Sequence, residues 1–248
     1  MQVSEIHNQN IDFTVVIPIH NEKGNLQKIL VPWSETPFPI IVIDDGSTDD
    51  PNIILDEFQP RIKILKNSIK MGYGYSLKKG IREATTNYIL ISDGDGQYRP
   101  QDAWRLINFM DDYLPEERPD MAVCDRRLKE KPIRFIGRKF LNSLASILAH
   151  RWIPDLNSGC RIFRRDLALD YEELFCNTYS FTTTITLMHL IDGYSVEWFP
   201  SRVVPREYGT SKVNLIRDGI ITLSQILWVG IGLRTRTVRA ILRKRRNK

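Results

Sequence analysis

The chain has 248 residues, enough for one large α/β domain or two small ones, and its 42% hydrophobic content excludes global disorder. The net charge of +5 averages unlike parts: the last fifteen residues, Arg234 to Lys248, hold eight basic residues and no acid, and +5 less eight leaves −3 for the rest. A mildly acidic body with a basic tail argues against nucleic acid as a partner, since a nucleic-acid binder spreads its basic residues over a folded face.

In chain order, Met1 to Ile11 is polar and lacks the basic-then-apolar layout of a signal peptide. Phe13–Pro18, Ile40–Ile43, Ile62–Leu65, Tyr88–Ile91 and Met121–Cys124 read as five short buried strands. Helical patterns fit between them, at about Lys23–Leu30, Pro51–Phe58, Tyr73–Ala84 and Gln101–Tyr113. Strands alternating with helices predict parallel βαβ units in an open, doubly wound, mostly parallel sheet flanked by helices. Ligands bind such sheets beyond the carboxyl ends of the strands. Three polar clusters fall there: His20-Asn21-Glu22, Asp44-Asp45-Gly46-Ser47 and Asp93-Gly94-Asp95-Gly96-Gln97.

The second half is less regular. Arg138–His150 and Phe181–Ile191 read as helices, and Ser195–Phe199 and Arg202–Val204 as strands. Ile220–Leu233 is a nearly uninterrupted apolar helix, short of the roughly 20 residues that span a bilayer. With the basic tail after it, it reads as an interfacial helix on an anionic membrane surface, or as a helix packed on the domain. Residues 1–212 form the expected α/β domain, and 213–248 the apolar helix and polybasic tail. Cys124, Cys160 and Cys176 are odd in number and far apart, which fits reduced core thiols better than a disulfide framework or a zinc site.

The chemistry concentrates after the fourth strand. Asp93 and Asp95 flank a glycine, and with the amide oxygen of Gln97 they offer hard oxygen ligands suited to Mg²⁺ or Mn²⁺. Few protein ligands leave room for waters and substrate phosphates; an Asx-rich turn is the bland alternative. Asp44 and Asp45 could accept hydrogen bonds from a base or ribose beyond the needs of a helix cap. The stretch Asn67 to Gly74 opens a helix with two glycines and Lys70, a pattern that lets backbone and positive charge approach a phosphate.

These segments together resemble the successive signatures of the family-two glycosyltransferases of the GT-A fold: Val15–Glu22, Val42–Asp49 and Ile91–Tyr98, in matching order and spacing. Asp125-Arg126, Asp155–Arg165 and Val204–Lys212 further resemble the branch of dolichyl- and polyprenyl-phosphate hexose synthases. The resemblance covers roughly residues 12–230. It implies a base and ribose pocket lined by Pro18, His20, Glu22, Asp44 and Asp45, with Lys70, Gly72 and Asp93 also on the nucleotide sugar. Asp93, Asp95 and Gln97 would hold the metal that bridges the donor diphosphate, and Arg206 and Lys212 would close over the phosphates. Arg126, Arg134 and Arg138 fall where the branch binds the acceptor phosphate, although Arg138 stands where the family often has Ser.

The implied reaction is an inverting displacement from a GDP- or UDP-sugar to a lipid phosphate on the cytoplasmic membrane face. A phosphate with a second pKa near 6 is already an anion and needs no general base. The branch often carries a Glu after the Phe of the Phe181–Ile191 helix; here Thr182, Thr183 and Thr184 follow. Those threonines are either packing or a hydroxyl-lined pocket. Two alternatives stand beside this reading: transfer to a glycan or other hydroxyl, and a nucleotide-sugar-binding protein without turnover.

Overall fold

The computed structural model describes residues 11–98, 100–126, 132–201, 203–204, 208 and 214–233. Seven strands, β1 (Phe13–Ile19), β2 (Ile40–Asp45), β3 (Lys63–Asn67), β4 (Tyr88–Ile91), β5 (Met121–Arg126), β6 (Arg161–Arg164) and β7 (Val196–Ser201), form one sheet in the order β3-β2-β1-β4-β6-β5-β7. β1 runs parallel to β2 and β4, β2 to β3, and β5 to β7, whereas β6 is antiparallel to both β4 and β5. The sheet is therefore mixed, and β6, the one reversed strand among the described residues, is the one that sequence pattern does not show.

The helices are α1 (Lys23–Ser34), α2 (Asn52–Leu55), α3 (Tyr73–Glu83), α4 (Pro100–Asp111), α5 (Pro132–Ala149), α6 (Arg165–Asp170), α7 (Phe181–Ile191) and α8 (Leu215–Gly232). Alternate strand residues feed two cores. Val15, Ile17, Val42 and Leu90 meet Leu26, Trp33, Trp104 and Ile107 of α1 and α4 on one face. Val16, Ile43, Ile89 and Val123 meet Leu77, Ala145, Ile185 and Ile226 of α3, α5, α7 and α8 on the other. Burial on both faces explains why these strands are uniformly apolar rather than alternating.

Three helices depart most from the predicted spans. The second, expected as one helix over Pro51–Phe58, is the short α2 followed by a 3₁₀ turn at Asp56–Phe58. α5 begins at Pro132 rather than Arg138, with proline at the first position, where a missing N–H leaves no hydrogen bond unmade. α8 begins at Leu215, where the Asn214 side chain accepts from the N–H groups of Ile216 and Arg217 at 3.1 and 2.9 Å. α7 has the predicted bounds despite four threonines, residues of modest helix propensity. It is buried along nearly its whole length, and Thr184 and Thr186 donate to the carbonyls four residues back, Ser180 at 2.9 Å and Thr182 at 2.8 Å. Packing therefore decides α7.

The thiols of Cys124 and Cys160 are buried and free, 3.4 Å apart, and Cys176 is free and partly exposed. α8 packs one side on α5 and α7, with Ile226, Val229 and Leu233 in the core, and leaves Ile216, Ile220 and Trp228 exposed.

Candidate active site

The carboxyl ends of β1, β2 and β4 bring the three polar clusters to one edge of the sheet; the first two are bonded to each other, and the third is reached from Asp45 through the Met71–Tyr73 segment. Asn21 (φ 51°) donates its N–H to Ser47 Oγ at 2.9 Å and accepts the Thr48 N–H on Oδ1 at 2.7 Å. The Lys23 N–H donates to Asp49 Oδ2 at 2.9 Å. Pro18 is buried in β1, His20 lies just beyond that strand, and Glu22, also buried, accepts from Asn25 Nδ2 at 2.6 Å.

Asp44 and Asp45 are both buried at the end of β2. Asp44 Oδ1 accepts the Ser47 N–H at 2.9 Å. Asp45 holds the next loop: Oδ1 accepts Met71 N–H at 2.8 Å and Asn67 Nδ2 at 2.9 Å, and Oδ2 accepts Gly72 N–H at 2.8 Å. Gly72 is expected on the nucleotide sugar. In the structure its N–H is engaged by Asp45, and at φ 108° a Cβ would stand 2.4 Å from the Asn177 carbonyl oxygen. This glycine serves the close approach of two protein segments. Lys70 is exposed on the same loop.

Asp93 and Asp95 follow β4. Asp93 is largely buried, and its Oδ1 accepts the hydroxyl of Tyr73, the first residue of α3, at 2.7 Å. Burial, and then the negative charge of Asp95, push the Asp93 carboxyl up to about 6, against the lowering influence of Tyr73, Arg126 and Arg161. Burial and the Asp93 charge likewise push the Tyr73 phenol well above its ordinary value, so it stays a donor. Asp95 Oδ1 accepts the Gln97 N–H at 3.0 Å, and the Gln97 carbonyl accepts from Val204 N–H at 3.0 Å. A divalent cation would offset the effect of Asp95 on Asp93, and the oxygens of both carboxylates are of the hard type that Mg²⁺ and Mn²⁺ prefer. Among the described residues no group of three or more His, Cys, Asp or Glu side chains converges. A metal at Asp93 and Asp95 would thus take its remaining ligands from amides, water and substrate phosphates.

Behind Asp93 runs the segment from Asp155 to Arg161, which β6 returns to this edge by its reversal. Arg126, expected at an acceptor phosphate, meets the fully buried Asp155 in a two-pronged ion pair, Nε to Oδ2 at 2.7 Å and Nη2 to Oδ1 at 3.0 Å. Burial alone would raise Asp155, but Arg126 holds it below the usual carboxylate range, with Arg138 adding to the pull. Arg161 is fully buried and donates to the Ser158 carbonyl from Nε at 3.0 Å and from Nη2, to the Thr182 carbonyl at 2.9 Å and to Thr186 Oγ1 at 2.7 Å. Thr183 donates to Asn157 Oδ1 at 2.6 Å. The threonines of α7 therefore frame this segment.

Arg134 is exposed and Arg138 partly buried on α5, 5.8 Å over the Phe135 ring. Arg206 and Lys212 lie outside the described residues, as does the basic tail. Sequence reasoning gave no role to Tyr73, Asp155 or Arg161. Asp155 and Arg161 are the acidic and basic positions of the Asp155–Arg165 segment already marked, and Tyr73 lies between Gly72 and Gly74.

A nucleotide-sugar-dependent glycosyltransferase of the GT-A fold is the class that this sheet and carboxylate pair define. The model for Glycosyl transferase family 2 matches residues 14–171, and the chain belongs to that family. Among curated relatives, polyprenol monophosphomannose synthase of Mycolicibacterium smegmatis is 26% identical over 250 residues, covering 91% of this chain and 89% of that protein. Glycosyltransferase AglJ of Haloferax volcanii is 23% identical over 220 residues, covering 86% and 70%. The structure of glucosyl-3-phosphoglycerate synthase from Mycobacterium tuberculosis with Mn²⁺, UDP and phosphoglyceric acid matches with a TM-score of 0.70 at 16% identity, over 89% of this chain and 79% of that one, which is a likeness of fold.

Proposed function

We propose that this glycosyltransferase moves a hexose from a GDP- or UDP-sugar to a polyprenyl or dolichyl phosphate, with inversion, at the cytoplasmic face of a membrane. The observation that carries the acceptor assignment is the outer face of α5. Ile133, Ile136 and Phe140 are 69%, 67% and 59% exposed around Arg134 and Arg138, next in chain to the Arg126 end of β5. Apolar side chains open to solvent beside cations suit a phosphate carried on a lipid. The relation to a polyprenol monophosphomannose synthase along nearly the whole chain supports the same reading.

Asp93, Asp95 and Gln97 would hold Mg²⁺ or Mn²⁺, which when bound neutralises the charge developing on the departing diphosphate. Pro18, His20, Glu22, Asp44 and Asp45 shape the nucleotide side, with Lys70 at its rim. Arg206 and Lys212 are assigned to the donor phosphates. Arg126, oriented by Asp155, and Arg138 and Arg134 hold the acceptor phosphate, whose oxygen is already anionic and attacks the anomeric carbon as the nucleoside diphosphate leaves. The absence of a carboxylate from the first turn of α7, where Thr182 to Thr184 stand, is consistent with an acceptor that needs no base.

Residues 1–212 are the catalytic domain, and 213–248 the membrane-associating end. α8 is 18 residues long and apolar enough by length and composition to cross a bilayer, yet one of its sides packs on the domain; we place it on the surface, beside the basic tail. The test is transfer of labelled sugar by purified protein with Mn²⁺ or Mg²⁺, across GDP- and UDP-sugars, to polyprenyl phosphate in detergent. Lipid-linked hexose should form, and Asp95→Ala should abolish it. Transfer to free sugar hydroxyls alone would overturn the acceptor assignment, and donor binding without any turnover would overturn catalysis.

A further inference from the structure

The loop from Asn67 to Gly74 is anchored on two sides. Asp45 accepts the amides of Met71 and Gly72 at 2.8 Å each, and the Gly74 N–H donates to the Asn177 carbonyl at 2.9 Å. Tyr73 sits between these anchors, so its backbone has little freedom. Its ring leans on that of Tyr179, with centroids 5.3 Å apart. From this braced position its hydroxyl reaches Asp93 Oδ1 at 2.7 Å.

An ionised carboxylate has about four lone-pair directions. The Tyr73 hydroxyl occupies one on Oδ1, and the Gly159 backbone lies close against Oδ2, so the group is held in one orientation with its remaining open directions available to a cation. Groups that orient a metal ligand in this way typically account for 10- to 100-fold in metal affinity or activity. We infer that Tyr73 is a positioning residue for the metal centre: its hydroxyl sets the Asp93 carboxylate for a divalent cation, from a loop held by the buried carboxylate of Asp45. The inference rests on the reading of Asp93 and Asp95 as metal ligands.

The experiment is a Mn²⁺ titration, with free ion followed by its electron paramagnetic resonance, on wild type, Tyr73→Phe and Asp95→Ala. Thermal unfolding is recorded alongside. Tyr73→Phe keeps the ring and its contact with Tyr179. It should bind Mn²⁺ at least about tenfold more weakly than wild type, with an unchanged unfolding midpoint. In steady-state transfer the loss should shrink as Mn²⁺ is raised, since a misaligned ligand weakens metal binding before it alters the reacting atoms. Wild-type Mn²⁺ affinity in Tyr73→Phe overturns the inference, as does a lowered midpoint with unchanged affinity, which would make the hydroxyl purely structural. Equal Mn²⁺ binding by wild type and Asp95→Ala overturns the metal reading itself, and the inference with it.

Discussion

Gly159 lies against the carboxylate of Asp93 so closely that a Cβ on it would stand 1.7 Å from Oδ2 and 2.3 Å from Cγ. No rotamer adjustment of a methyl relieves such a distance, so Gly159→Ala must displace the Asp93 side chain or the 155–161 segment. Overpacking of this kind costs about 1–3 kcal/mol. The variant should fold with a lowered unfolding midpoint and lose measurable Mn²⁺ binding and sugar transfer. Retained wild-type Mn²⁺ affinity would show that Asp93 is not a ligand in this position.

The Arg126–Asp155 pair carries a second expectation. Arg126→Met leaves the fully buried Asp155 without its cation, and removing one partner of a buried pair costs about 3–5 kcal/mol. Because Arg126 retains 20% exposure, the lower end of that range is expected in urea unfolding. Asp155→Asn should cost less, since it abolishes the buried charge while keeping a hydrogen-bond acceptor. If the two variants are equally and only slightly destabilised, the pair is not a structural keystone.

His189 on α7 makes the fold acid-sensitive. Burial lowers its imidazole from 6.5 to about 4. Above pH 6.5 it is neutral folded and unfolded, and contributes no pH dependence. As pH falls below 6.5 the unfolded chain takes up a proton that the native protein refuses until about 4, so stability declines across that window. The decline attributable to this residue is about 1.4 kcal/mol between pH 7.5 and 5.5. His189→Gln, compared with wild type by urea unfolding at those two pH values, should lose that much less; parallel losses would remove His189 as the cause.

The proposed membrane association has separable parts. Replacing Ile133, Ile136 and Phe140 by Ser together should weaken sedimentation with vesicles at any salt, because the lost term is apolar burial. Truncation after Leu233 removes eight basic residues, each contributing about 1 kcal/mol near an anionic surface, and should weaken binding to anionic vesicles at low salt only. Full binding by both variants would exclude these surfaces as the contact.

Legibility in the sequence followed burial. β1, β2, β4 and β5 stood out because both their faces are covered, giving unbroken apolar runs ended by polar clusters. β6 was invisible: its four residues Arg161-Ile162-Phe163-Arg164 begin with a charge, and a guanidinium satisfied by carbonyls has no hydropathic signature. The first turn of α5 was missed because Ile133 and Ile136 face outward and cover no core, and Gly137 reads as a break. Asp93 and Asp95 are marked as candidates by their place after β4. Tyr73 was passed over because a tyrosine between two glycines reads as packing, and its partner lies twenty residues on, across a strand and a helix.

The division of helices between the sheet's two faces has a consequence for traffic. α1 and α4 cover one face, while α5 and α8, which carry the exposed apolar side chains, cover the other. The seven strands thus act as a bulkhead. Under the proposed lipid-phosphate reading, the acceptor reaches the rim where the strands end along the face that α5 and α8 cover.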